Sequence, residues 1–89
     1  MYRTHVRIIA DILNLAYCAE GTSITNIVRN ANISYNRLKG ILDTLIERGL
    51  LIIEKKDESN RYIISERGKE FLQVYSRFYD MAESFGLKL

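Results

Sequence analysis

The chain has 89 residues, 47% of them hydrophobic and 27% charged, which describes one small globular domain and excludes a disordered segment. Lys and Arg number 13 against 11 Asp and Glu, a net charge of +2, so total charge does not by itself mark a nucleic-acid binder. A single Cys, Cys18, excludes an internal disulfide, and with the single His, His5, it leaves no zinc site of four protein ligands. No metal or cofactor is expected.

No apolar run reaches the roughly 18–20 residues that span a bilayer. Residues Met1 to Arg7 lack the apolar stretch and small-residue cleavage site of a secretory signal, so a reducing, cytoplasmic setting is expected. There is no proline, repeat or low-complexity tract, and five glycines punctuate the chain.

The first helix is expected from Thr4, as N-cap, to about Cys18. Val6, Ile9, Ile12, Leu13, Ala16 and Tyr17 form its main core face, and Ile8, Leu15 and Cys18 point away from it, toward the last helix of the same or another chain. Ser23 caps a short second helix, Ile24 to about Ala31, with Ile24, Ile27, Val28 and Ala31 inward. Asn32-Ile33-Ser34 makes a tight turn, and Ser34 caps a third helix from Tyr35 to Arg48 on Leu38, Ile41, Leu42 and Leu45. Gly49 stands where a left-handed C′ residue is wanted. Leu50–Lys55 and Arg61–Ser65 read as two strands joined by the polar loop Lys56–Asn60, which lacks the Asn-Gly of a tight turn. Ser65 caps a last helix, Glu66 to about Phe85.

A two-stranded hairpin is not stable alone in water, so it must lie on the helices. The fold class is therefore mainly α with a small β-hairpin: a winged helix-turn-helix, with residues 1–65 as core and 66–89 as a C-terminal helix that packs on it and pairs with a second chain.

In a helix-turn-helix the second helix is the one that enters the DNA major groove. From Gly21 through Leu42 there are three cations, Arg29, Arg37 and Lys39, and no acid, whereas Asp43 and Glu47 follow on the outward face of the third helix. This polarity suits an N-terminal half that meets DNA. Arg37 is the candidate for guanine edges or phosphate, and Asn36 either reads adenine or makes ordinary local hydrogen bonds near a helix start. Lys39 is placed on phosphate, and Tyr35 at the core edge with its hydroxyl toward phosphate. Gly40 costs about 1 kcal/mol in mid-helix relative to Ala, which points to a use, with close approach of DNA and close packing both open. Lys55, Lys56 and Arg61 are the wing candidates, balanced by Glu54, Asp57 and Glu58, and Arg3 with Arg7 either forms a further phosphate patch or serves surface solubility.

In the last helix Phe71, Tyr75, Phe78, Ala82 and Phe85 alternate spacings of four and three, the period of a coiled-coil seam. So many aromatics on so small a domain mark a partner, and a homodimer built on this helix is expected. Two-fold symmetry would set the two third helices about 34 Å apart, one turn of DNA. Cys18 reads as an inert, partly buried thiol.

Asn32-Ile33-Ser34-Tyr35 with Leu38 and Leu42, Glu47-Arg48-Gly49-Leu50-Leu51, and the run Tyr62 to Leu72 resemble small archaeal winged helix-turn-helix proteins. The likeness is to the ArnR-like group, which includes small dimeric crenarchaeal chromatin proteins, and archaeal-virus winged-helix proteins look similar. It covers about residues 4 to 85. The resemblance implies a homodimer that binds double-stranded DNA, pairs through the C-terminal helix and reads with Ser34, Asn36, Arg37 and Lys39. Gly40 departs from the long polar residue more usual at its position.

The reading that joins these observations is a dimeric DNA-binding transcriptional regulator, cytoplasmic and nucleoid-associated. The alternatives are an architectural nucleoid protein with little sequence preference, or a protein-interaction winged helix that does not bind DNA. No small-molecule ligand is evident. An enzyme is not expected, because no nucleophile–base pair, phosphate loop or metal cluster is present to carry chemistry.

Overall fold

The computed structural model describes residues 4–87; Arg3 of the expected N-terminal basic patch lies outside them. Along the chain run α1 (His5–Leu15), α2 (Ile24–Ala31), α3 (Tyr35–Glu47), β1 (Leu51–Lys56), β2 (Ser59–Ile64) and α4 (Glu66–Ser84). This is the helix, helix–turn–helix, hairpin, helix order of a winged helix-turn-helix. Each helix starts where a hydroxyl oxygen takes up an N–H that has no partner within the helix. Thr4 accepts from the Arg7 amide at 3.1 Å, Ser23 from Asn26 at 3.2 Å, Ser34 from Arg37 at 3.3 Å and Ser65 from Gly68 at 3.0 Å.

At the end of α3, Gly49 has φ +80°, the Leu50 amide donates to the Leu45 carbonyl and the Gly49 amide to that of Ile46. That pair of bonds is the Schellman closure, and it releases the chain into β1. The Ser65 hydroxyl donates back to the Gly49 carbonyl at 2.6 Å, so the caps of α3 and α4 are joined. Gly68 completes this junction. A Cβ there would run into the Leu50 carbonyl oxygen and sit 2.7 Å from Ile64, so only glycine lets the first turn of α4 lie against the base of the hairpin.

The core gathers Ile8, Ile12 and Leu13 of α1, Ile27 of α2, Leu38, Leu42 and Leu45 of α3, and Leu51, Tyr62 and Ile64 of the hairpin. α1 packs against both α2 and α4, and its expected main face is corrected at Val6 and Tyr17. Ile8 is buried and Leu15 half-buried, whereas Val6 is 46% and Tyr17 53% exposed. A helix covered on two sides needs a wider apolar surface than one stripe, and α1 ends at Leu15, so Tyr17 is out of helical register. Cys18 is exposed rather than partly buried, with its Sγ donating to the Gly21 carbonyl at 3.1 Å.

β1 and β2 pair antiparallel, Leu51 opposite Ile64 and Lys56 opposite Ser59. Thr22 adds a bridge on the other edge of β2, exchanging both backbone hydrogen bonds with Tyr62 at 2.9 and 2.8 Å. The wing is thus hydrogen-bonded to the segment just before α2, which the sequence pattern does not reveal.

The hairpin loop is tighter than expected, with only Asp57 and Glu58 between the strands, at φ +49° and +63°. Positive φ at both central residues matches the right-handed twist of the strands but is costly for residues with a Cβ. Asp57→Asn/Glu58→Gly therefore stabilises the fold by about 1 kcal/mol, a rise of about 4–8 °C in the unfolding midpoint of a domain this size. Thermal denaturation followed by circular dichroism checks this, and an unchanged or lower midpoint contradicts it.

Candidate nucleic-acid interface

The candidate interface is built at the turn between α2 and α3. Asn32 caps α2 at φ +53°, a left-handed geometry that Asn tolerates better than most residues. Ala31 on one side and Ile33 on the other are buried, 1% and 6% exposed, so the turn is anchored at both ends. α3 is then held by Leu38, Ile41, Leu42 and Leu45 on its inner face.

Everything this helix does not bury is presented outward. Ser34, Tyr35, Asn36, Arg37, Lys39 and Gly40 are all exposed, so the first two turns bring together the six positions singled out in the sequence. The Ser34 oxygen accepts from the Arg37 amide, which leaves its proton for an outside acceptor. Tyr35 is not at the core edge: it is 51% exposed, with the Lys39 ammonium 5.9 Å from the ring centroid. That cation–π contact steers Lys39 to one flank of α3 while Arg37 lies on the other. Asp43 and Glu47 are exposed in the second half of the helix.

Gly40 lies on the exposed side of α3. A Cβ there would meet no atom within 4 Å, so close packing inside the chain does not require the glycine.

The three wing cations are not equivalent. Lys55 and Lys56 are exposed near the tip, opposite Asn60 and Ser59. Arg61 is half-buried, and its Nε and Nη2 donate to the carbonyls of Glu20 (3.2 Å) and Gly21 (3.1 Å). Its fork ties the wing to the loop after α1, so two of its donors are already committed.

Arg7 is likewise engaged. Its guanidinium lies 5.5 Å from the Tyr79 ring centroid, and its Nε is 3.6 Å from Asp11. Partial desolvation works against this charge while Tyr75, Asp11 and Tyr79 favour it, and the balance raises its pKa. Arg7 thus sits at the α1–α4 junction, with its side chain still 39% exposed.

α4 divides the expected seam. Phe71 and Tyr75 are half-buried against the core and Ala82 is 4% exposed, whereas Phe78 and Phe85 are 56% and 74% exposed. Val74 and Met81, at 55% and 59%, join those two in the open. The Tyr75 hydroxyl is buried at the junction with α1 and has no hydrogen-bond partner among the described residues. Among the described residues no three His, Cys, Asp or Glu side chains gather as a metal site would need. No described helix is long and apolar enough to cross a membrane.

A family profile described as winged helix-turn-helix matches residues 2–83, and the chain belongs to that family. Several solved structures share the fold. Sso10a-2, a DNA-binding protein from Sulfolobus solfataricus, is 29% identical with a TM-score of 0.81, over 93% of this chain and 85% of that one. F-93 of SSV1 is 18% identical with a TM-score of 0.66, over 88% of this chain and 91% of its own. A MarR-family transcriptional regulator from Rhodococcus sp. RHA1 is 22% identical with a TM-score of 0.76, and 84% of this chain covers 56% of its length. No curated protein sequence matches the chain.

The two kinds of wing cation separate by measurement. Arg61→Ala lowers stability by about 1–2 kcal/mol, because two carbonyls lose a charged donor. Lys55→Ala/Lys56→Ala changes it by less than about 0.5 kcal/mol, as expected of exposed residues. Urea denaturation of both variants checks the contrast, and equal losses contradict it.

Proposed function

We propose that the protein is a DNA-binding regulator that sets the first two turns of α3 in the major groove and lays the hairpin alongside as a wing. The observation that carries this reading is the exposed set Ser34, Tyr35, Asn36, Arg37, Lys39 and Gly40, lying in a stretch that has cations and no acid until Asp43. Arg37 and Lys39 meet phosphate or base edges from the two flanks of the helix, Asn36 and Ser34 supply hydrogen bonds between them, and Lys55 and Lys56 add phosphate contacts from the wing. The DNA binding of Sso10a-2 supports the same assignment. The chemistry is binding rather than catalysis, and a nucleoid-associated location follows from it.

In this reading the protein works as a homodimer. The exposed residues Val74, Phe78, Met81 and Phe85, with half-buried Phe71 at the near end, set the seam at spacings of three and four rather than through Tyr75 and Ala82. Pairing there covers the largest run of exposed apolar side chains on α4 and gives two α3 helices a fixed separation, about 34 Å for successive major grooves. The alternative of a protein-interaction module draws on Asp43, Glu47 and the acidic wing tip Asp57-Glu58, a face that repels phosphate.

Fluorescence anisotropy on a mixed-sequence duplex tests the assignment. Log affinity falls linearly with log salt concentration, and Arg37→Ala/Lys39→Ala makes that slope shallower by about two. Absence of binding at low salt contradicts it and favours the protein-interaction reading. In sedimentation equilibrium the wild type has twice the chain mass and Phe78→Glu/Met81→Glu has the mass of one chain; a monomeric wild type contradicts the seam.

A further inference from the structure

Beside Gly40 the surface opens into a pit of about 330 Å³ between α1 and α3. Its floor is apolar, formed by Ile9, Ile41 and Leu45, and its rim carries His5, Arg37 and Thr44. The Thr44 hydroxyl is turned back on its own helix, donating to the Gly40 carbonyl at 3.1 Å. What the pit offers a visitor is therefore mostly hydrocarbon, with a guanidinium at the edge.

Gly40 is one of the residues that line this pit. It is helical, it has no need of positive φ, and its missing Cβ leaves space that no atom of the chain uses. A glycine inside a helix costs about 1 kcal/mol relative to Ala, and here no packing within the chain asks for it. A role for this pit in recognition depends on α3 being the helix that meets DNA, as proposed above. The major groove presents hydrogen-bonding edges throughout and one apolar group, the C5-methyl of thymine.

We propose that the pit beside Gly40 receives a thymine C5-methyl group, with Arg37 at its rim on the adjoining phosphate or base edge, and that Gly40 is thereby a specificity-determining residue. Ile41 and Ile9 supply the apolar contact, and any side chain at position 40 narrows the entrance. The protein then favours thymine on the strand under this flank of α3, without a hydrogen bond to that base.

The test compares a duplex of alternating dA and dT with the same duplex carrying dU in place of dT. The two have the same base-pairing and major-groove hydrogen-bonding groups and differ only by the methyl. Wild-type protein, measured by anisotropy at fixed salt, binds the dT duplex about fourfold more tightly, the worth of one buried methyl. Gly40→Ala binds the two duplexes alike and unfolds at a higher temperature than the wild type, since Ala favours the helix. Equal wild-type affinity for the two duplexes, with salt-dependent binding intact, overturns the methyl pocket and leaves DNA binding standing. A Gly40→Ala protein that keeps the preference overturns the role of Gly40, as does one that loses affinity for both duplexes equally. No wild-type binding to either duplex at low salt overturns the DNA-binding reading itself, and this proposal with it.

Discussion

The structure turns on one short constraint, the reversal of the chain at Asn32. Ala31 and Ile33 are both buried and Asn32 between them takes a left-handed conformation, so the direction of α3 follows from packing on both sides of the bend. Ser34 then caps α3, and the leucines at 38, 42 and 45 fix its rotation about its own axis. Once that rotation is set, the exposure of Asn36, Arg37 and Gly40 follows from helical geometry alone. The candidate interface is held by the same contacts that make the core, which gives it rigidity in a domain with few residues to spend on support.

Much of this is legible in the sequence because the signals are local. Thr4, Ser23, Ser34 and Ser65 announce the helix starts, and Gly49 announces the end of α3, each by chemistry within a few residues. What is not legible depends on which elements meet. The main face of α1 departs from the sequence pattern at Val6 and Tyr17, which are exposed, because the helix ends at Leu15 and is covered by both α2 and α4. Thr22 pairs with Tyr62 and Arg61 reaches the carbonyls of Glu20 and Gly21, contacts between residues some 40 apart that no periodicity encodes. The seam on α4 shows a subtler failure. Two registers of spacing three and four run along the same helix, through Tyr75 and Ala82 or through Val74 and Met81. Only packing on α1 decides which of them stays exposed.

The distribution of charge also becomes clear only with the fold. A net charge of +2 is unremarkable, yet Arg61 and Arg7 are engaged within the chain, and the cations that remain outward on α3 and the wing are Arg37, Lys39, Lys55 and Lys56. Asp43 and Glu47 on α3 and Asp57-Glu58 at the wing tip bound that group. A basic strip edged by acids restricts the orientations in which the domain meets a polyanion, and so favours one docking geometry over diffuse adhesion. On α4 the apolar groups divide in the same way: one side completes the domain and the other, with Val74, Phe78 and Met81, stays exposed.

The central claim is that the first two turns of α3 are the surface that meets DNA. Amide chemical shifts of the isotope-labelled protein, followed as a mixed-sequence duplex is added at low salt, test it most directly. The account predicts the largest shifts at Ser34 to Gly40, smaller ones at Lys55 and Lys56, and little change along Val74 to Phe85. Shifts that spare Ser34 to Gly40 and gather instead on α4 would contradict it.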